Sequence, residues 1–139
     1  MSSEGFFLDS AYPIALASRA DQHHNTAVEV AVSLKAKPER LVTTRAVLLE
    51  IGNALAKPQF RFIGIEMLRS FETDPRVEIV SLEDALYQRG FELFQSRPDK
   101  MWSLTDCISF VTMNEHGLSR ALTSDQHFEQ AGFAAMLRR

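Results

Sequence analysis

The chain has 139 residues, 45% of them hydrophobic and 24% charged, with a net charge of −3. That length suits one domain, 1–139, with a real core, roughly two thirds of the unfolded surface being buried at this size. The acidic balance argues against a generic polyanion binder with a broad basic face, unless bound cations offset a local group of acids. Cys107 is the single cysteine, which excludes an intrachain disulfide and any paired-cysteine zinc motif and fits a reducing, cytoplasmic setting. The start carries no basic stretch before its short apolar run, so no signal peptide is expected, and no run approaches the ~18 apolar residues of a membrane span.

Short apolar runs alternate with helical stretches. Gly5–Leu8 reads as a strand and Ala11 to about Ala20 as a helix, with Pro13 tolerable only in its first turn. A helix from His24 to about Lys35 repeats Ala27, Val30, Ala31 and Leu34 on one face. Leu41-Val42-Thr43 is β-prone, and Arg45 to Ala56 is an apolar helix stopped by Lys57-Pro58. Phe60 to Phe71 follows with Ile63, Met67, Leu68 and Phe71 on a face, then Val77–Val80 as a strand. Leu82 to Ser96 is a helix with Leu82, Ala85, Leu86, Phe91 and Phe94 as buried candidates. Ser103 to His116 is another, ended by Gly117. Arg120–Thr123 is a short strand, His127–Ala131 a helical turn, and Phe133–Met136 a final strand. Repeated strand-then-helix units imply a mostly parallel sheet with helices on both faces, and ligands beyond the carboxyl ends of its strands.

Four acids sit where a carboxylate is awkward. Asp9 ends the first strand, Glu50 lies within Val47-Leu48-Leu49-Glu50-Ile51, Asp106 follows Trp102-Ser103-Leu104-Thr105, and Asp125 follows the fourth strand. Grouping them would add like-charge repulsion to desolvation, and a hard divalent cation such as Mg²⁺ or Mn²⁺ relieves both. Each acid also has a plainer role open to it. Asp9 and Asp125 could cap the helices that follow, with Ser10 an alternative cap for the first. Ser103-x-x-Asp106 fits a capping box, which is compatible with a metal-facing oxygen. Glu50, Asn53 and Lys57 could form a solvated stripe.

The histidines carry less. Adjacent His23 and His24 lack the spacing of a zinc pair and read as helix-start or surface residues, and His116 as a helix C-terminal cation. His127, two residues after Asp125, could face a phosphate or a water, and Cys107 reads as a small core residue. No phosphate-cradling glycine loop or G-x-S-x-G elbow occurs, and Asp9-Ser10-Ala11 lacks the second acid of a D-x-D phosphatase.

Taken in series, Phe7-Leu8-Asp9-Ser10-Ala11-Tyr12, Leu48-Leu49-Glu50-Ile51-Gly52-Asn53-Ala54-Leu55, Trp102-Ser103-Leu104-Thr105-Asp106-Cys107-Ile108-Ser109-Phe110 and Leu122-Thr123-Ser124-Asp125-Gln126-His127-Phe128-Glu129-Gln130-Ala131-Gly132-Phe133 resemble the PIN domain, specifically its VapC-like toxin ribonucleases. The resemblance implies a three-layer α/β/α sandwich and Mg²⁺- or Mn²⁺-dependent cleavage of RNA. It carries Asp9, Glu50, Asp106 and Asp125 onto the family's acidic quartet, with water-mediated binding open at Asp125. Ser103 and Thr105 fall on hydroxyl positions beside the third acid. Met101 departs from the acidic residue often found before the Trp. The resemblance also implies a homodimer restrained by a small antitoxin; an RNA-processing nuclease or an inactive binding module of the same fold are the alternatives. Arg45, Lys57, Arg97 and Lys100 are candidate rim cations for RNA.

Overall fold

A computed structural model of the chain describes residues 4–138; Met1, Ser2, Ser3 and Arg139, which the sequence reading includes in its single domain, lie outside the described residues. The elements run β1 (Phe6–Leu8), α1 (Ala11–Ala17), α2 (His24–Ala36), β2 (Leu41–Thr44), α3 (Arg45–Ala54), α4 (Pro58–Thr73), β3 (Val77–Val80), α5 (Asp84–Ser96), α6 (Leu104–Glu115), β4 (Arg120–Leu122), α7 (Gln126–Gln130) and β5 (Ala134–Ala135). All strand pairs are parallel, in the order β3-β2-β1-β4-β5.

The pleat of the short strands divides the core in two. Successive strand residues point to opposite faces. Phe7, Val42 and Ala121 therefore enter one core with Val47 and Ile51 of α3, Phe110 and Met113 of α6, and Phe128 of α7. Phe6, Leu8 and Leu122 enter the other with Tyr12 and Ala15 of α1 and Ala27 of α2. The result is the expected α/β/α sandwich. From β1 the chain steps outward to β2 and β3, then returns to β4 on the opposite side of β1. The strand order thus reverses between β1 and β4, and the crevice past their carboxyl ends is where such sheets take ligands.

Several boundaries differ from the sequence reading. Helix α1 stops at Ala17 rather than near Ala20, because Ser18 turns extended and Asp21 accepts the His23 amide at 2.8 Å to set up α2. Helix α3 ends at Ala54, and Pro58 opens α4 instead of merely closing α3; Lys57 is extended before it, as a residue preceding proline favours. The last strand shortens to Ala134–Ala135.

Helix α5 departs most. Of its five candidates only Leu86 is buried, whereas Leu82, Phe91 and Phe94 are exposed large hydrophobics and Ala85 is exposed. This helix packs extensively against α6, with Leu86 and Gly90 buried and Leu93 half-buried. A Cβ at Gly90 would sit 2.5 Å from Cγ1 of Ile108 and 3.3 Å from its backbone. Gly90→Ala is accordingly expected to destabilise the protein by about 1–2 kcal/mol, overpacking outweighing alanine's helix propensity. Denaturant unfolding against the wild type checks this, and a stabilised variant would refute the close α5–α6 contact.

Candidate active site

The C-terminal end of β1 delivers Asp9 into the crevice at only 5% exposure. Its carboxylate does not cap α1. Oδ2 instead accepts the Thr123 hydroxyl at 2.6 Å, across 114 residues of sequence. Burial pushes the Asp9 pKa up to about 7; the Thr123 bond works against that rise, and the charges of Glu50 and Asp106 add to it.

Ser10 occupies the N-cap position of α1 without capping it through its side chain; its hydroxyl donates to Glu50 Oε1 at 2.9 Å. This bond holds Glu50, half-buried on α3, toward the crevice rather than on a solvated stripe. Burial raises the Glu50 pKa, opposed by the Ser10 bond, with Asp106 and Asp125 as the repelling charges. The four predicted acids therefore sense one another electrostatically.

Asp106 keeps its cap role as well. The Ser103 hydroxyl accepts the Asp106 amide and the Ser103 amide donates to Asp106 Oδ2, both at 3.0 Å, closing a capping box. Oδ2 also lies 2.9 Å from His127 Nδ1, which is 3.4 Å from Asp125 Oδ1. Asp125 caps α7, its Oδ1 accepting the His127 amide at 2.8 Å. Ligand atoms of Asp106, Asp125 and His127 all fall within 4.8 Å of one another, close enough to share a cation. Asp9 and Glu50 lie outside that tight trio and face it. Thr105, half-buried in the first turn of α6, makes no hydrogen bond to the four acids among the described residues.

Two residues escaped the sequence reading. Thr123 donates to Asp9 and accepts the Asp125 amide at 3.0 Å, so one buried hydroxyl sets both strand-end acids. Ser10 was visible only as a cap. The available signal was a hydroxyl residue at each strand's carboxyl end beside an acid. Of the rim cations, Arg45 is engaged with Glu72 on α4, Lys57 precedes α4, and Arg97 pairs with Asp99 at 2.9 Å. The other histidines do structural work: His24 Nδ1 meets Ala15 O at 2.7 Å, and His116, at the C-cap of α6, meets Thr112 O at 3.0 Å.

Aromatic packing fixes the helices that carry these groups. Phe110 of α6 meets Phe128 of α7 edge-on at 4.9 Å and Trp102 at 5.1 Å, while Phe128 lies 6.2 Å from Phe7 of β1. Pairs of this geometry add about 0.5–1.5 kcal/mol each beyond area burial.

A PIN domain family model matches residues 6–134. The chain belongs to the PIN domain family. Among solved structures it is similar to VapC20 of Mycobacterium tuberculosis, described as a sarcin-ricin loop cleaving toxin, with a TM-score of 0.82 at 23% identity. The match covers 93% of this chain and 96% of that one. No curated protein sequence matches. The PIN fold accounts for the crevice between β1 and β4. No helix among the described residues is long and apolar enough to cross a membrane.

Two outcomes follow for the metal-free protein. Between about pH 4 and pH 7 the native state keeps a proton on Asp9 that the unfolded chain has released. Stability should therefore fall as pH rises through that window, relative to Asp9→Asn, by at most about 1.4 kcal/mol per pH unit. Urea unfolding of both proteins in chelator checks this; parallel pH profiles would contradict it. Thr123→Val removes the bond that lowers the Asp9 pKa, so the upper end of the window should move to higher pH.

Proposed function

We propose that the protein is a metal-dependent endoribonuclease of the toxin type, built as a single PIN unit. The observation that carries this reading is the convergence of Asp9, Glu50, Asp106 and Asp125 at the β1–β4 crevice of a PIN chain. Buried carboxylates that repel one another are a poor arrangement for a protein that never binds a cation, and their oxygens suit Mg²⁺ or Mn²⁺. Asp106 and Asp125, with His127, would offer the most closely grouped ligand atoms, and Asp9 and Glu50 would complete the set from across the crevice.

When bound, such an ion supplies a nucleophilic water for the phosphodiester and offsets the charge that develops on phosphorus and on the leaving 3′ oxygen. The chain's own residues prepare that site. Thr123 holds Asp9, Ser10 holds Glu50, Ser103 and His127 hold Asp106, and Asp125 is held by its place as the α7 cap. Ligands fixed before the cation arrives do not have to be reoriented on binding. The similarity to a sarcin-ricin loop cleaving toxin supports RNA as substrate and a small antitoxin as partner. A homodimer in the cytoplasm completes the reading.

With Mn²⁺, purified protein should cleave RNA to leave 3′-hydroxyl ends. Asp9→Asn or Asp106→Asn should lower the rate by about a hundredfold or more, with the fold retained. Undiminished cleavage by the double variant would end the nuclease reading. Mg²⁺ should also raise the melting temperature of the wild type, more at pH 8 than at pH 6 because Asp9 must release its proton. Expression should arrest growth, and co-expression of a small protein encoded next to it should relieve the arrest. Indifference to expression would favour a housekeeping RNA-processing enzyme.

A further inference from the structure

Beside the acidic crevice lies a second feature that metal binding does not use. The end of α5 and the loop leading to α6 enclose a cavity of about 380 Å³, lined by Phe91, Phe94, Arg97, Lys100, Trp102 and Cys107. That volume is at the lower end for small-ligand pockets. Its walls are aromatic and its mouth is cationic. The Arg97 guanidinium lies 5.3 Å from the Trp102 ring centroid and the Lys100 ammonium 6.0 Å from it.

Phe91 and Phe94 stack with centroids 6.5 Å apart, and Tyr87 extends the row at 6.5 Å from Phe91. All three are exposed, Phe94 at 44%. Single exposed aromatics are ordinary, but a contiguous row next to two cations marks an interaction surface. Arg97 forms a bidentate pair with Asp99 at 3.0 and 2.9 Å, solvent-exposed and screened by salt, and a phosphate would have to compete with that carboxylate for the guanidinium.

Trp102 joins this pocket to the crevice. Its indole N–H donates to Gln130 on α7 at 3.0 Å, the helix that Asp125 caps. The next residue, Ser103, is the cap that holds Asp106. A ligand with flat π-faces and regularly spaced negative charge matches both rings and cations, and unpaired RNA is such a ligand. An apolar protein face would instead bury the Lys100 ammonium without offering it an anion.

We propose that this pocket takes an unpaired base of the RNA substrate, stacked on Phe94 beside Trp102, with Arg97 and Lys100 meeting the adjoining phosphates. The proposal rests on the ribonuclease reading and adds a substrate subsite to it. A strand seated there runs toward Ser103 and the acids, so the pocket selects single-stranded or looped RNA over duplex.

Trp102 is the sole tryptophan of the chain and reports on its own pocket. A short oligoadenylate, added in chelator, should quench its fluorescence, whereas a duplex of equal length should not. With Mn²⁺ and the oligoadenylate as substrate, Phe94→Ala should raise KM about tenfold and leave kcat within about twofold, as expected for one lost base-stacking contact. Phe94→Tyr should restore KM, and Lys100→Ala should raise it and flatten its salt dependence. Phe62→Ala, on α4 at 76% exposure, is the control and should change nothing. Cleavage by the wild type with an unaltered KM in Phe94→Ala and Lys100→Ala overturns the pocket and leaves the ribonuclease reading intact. An unaltered KM with a changed oligomeric state in Phe94→Ala overturns it in favour of a second copy of the chain. Absence of both quenching and cleavage in the wild type overturns the two readings together.

Discussion

A carboxylate that water barely reaches governs this molecule. Asp9 sits at the end of the central strand, pushed toward neutrality by burial and by the charges of Glu50 and Asp106. An isolated buried carboxylate is among the least favourable groups a fold can hold, and proteins ordinarily pair it or leave it outside. Here its side-chain partner is the Thr123 hydroxyl rather than a lysine or arginine. Hydroxyls orient an acid without neutralising it, so the crevice keeps its negative potential.

The groups that hold the acids also hold the fold. Thr123 links β1 to the turn after β4, Ser103 and Asp106 close the start of α6, and Asp125 starts α7. Local rules for capping and strand ends are thus satisfied by the same side chains that build the negative crevice. This double use explains why Asp106 and Asp125 look unremarkable on their own. A cap needs one carboxylate oxygen, and the other is left to point elsewhere.

How much of this was legible in the sequence depends on the range of the interaction. The strand-then-helix alternation and the position of Asp9 and Asp125 at strand ends follow from short-range periodicity and turn residues, and the structure agrees. The alternating pleat of Phe6, Phe7 and Leu8 is likewise local. Thr123 as the partner of Asp9 was not legible, because nothing local connects positions so far apart. Helix α5 misled for a different reason. Leu82, Phe91 and Phe94 have the composition of a buried face, but α5 approaches α6 closely at Gly90, where the absence of a side chain permits it, and leaves those three exposed. Hydrophobicity reports that a surface wants cover; it does not say that the same chain provides it.

The sheet order has a consequence for any incomplete chain. The central pairing joins β1 to β4, strands that stand far apart in the sequence. Without β4, Asp9 lacks its hydroxyl partner and the switch-point crevice has one wall. A polypeptide that ends before Arg120 keeps Asp9, Glu50 and Asp106 but lacks β4, Thr123 and Asp125, and with them one wall of the crevice. Topology therefore makes the crevice a property of the whole sheet, its four acids coming from the end of β1, from α3, from α6 and from the turn after β4.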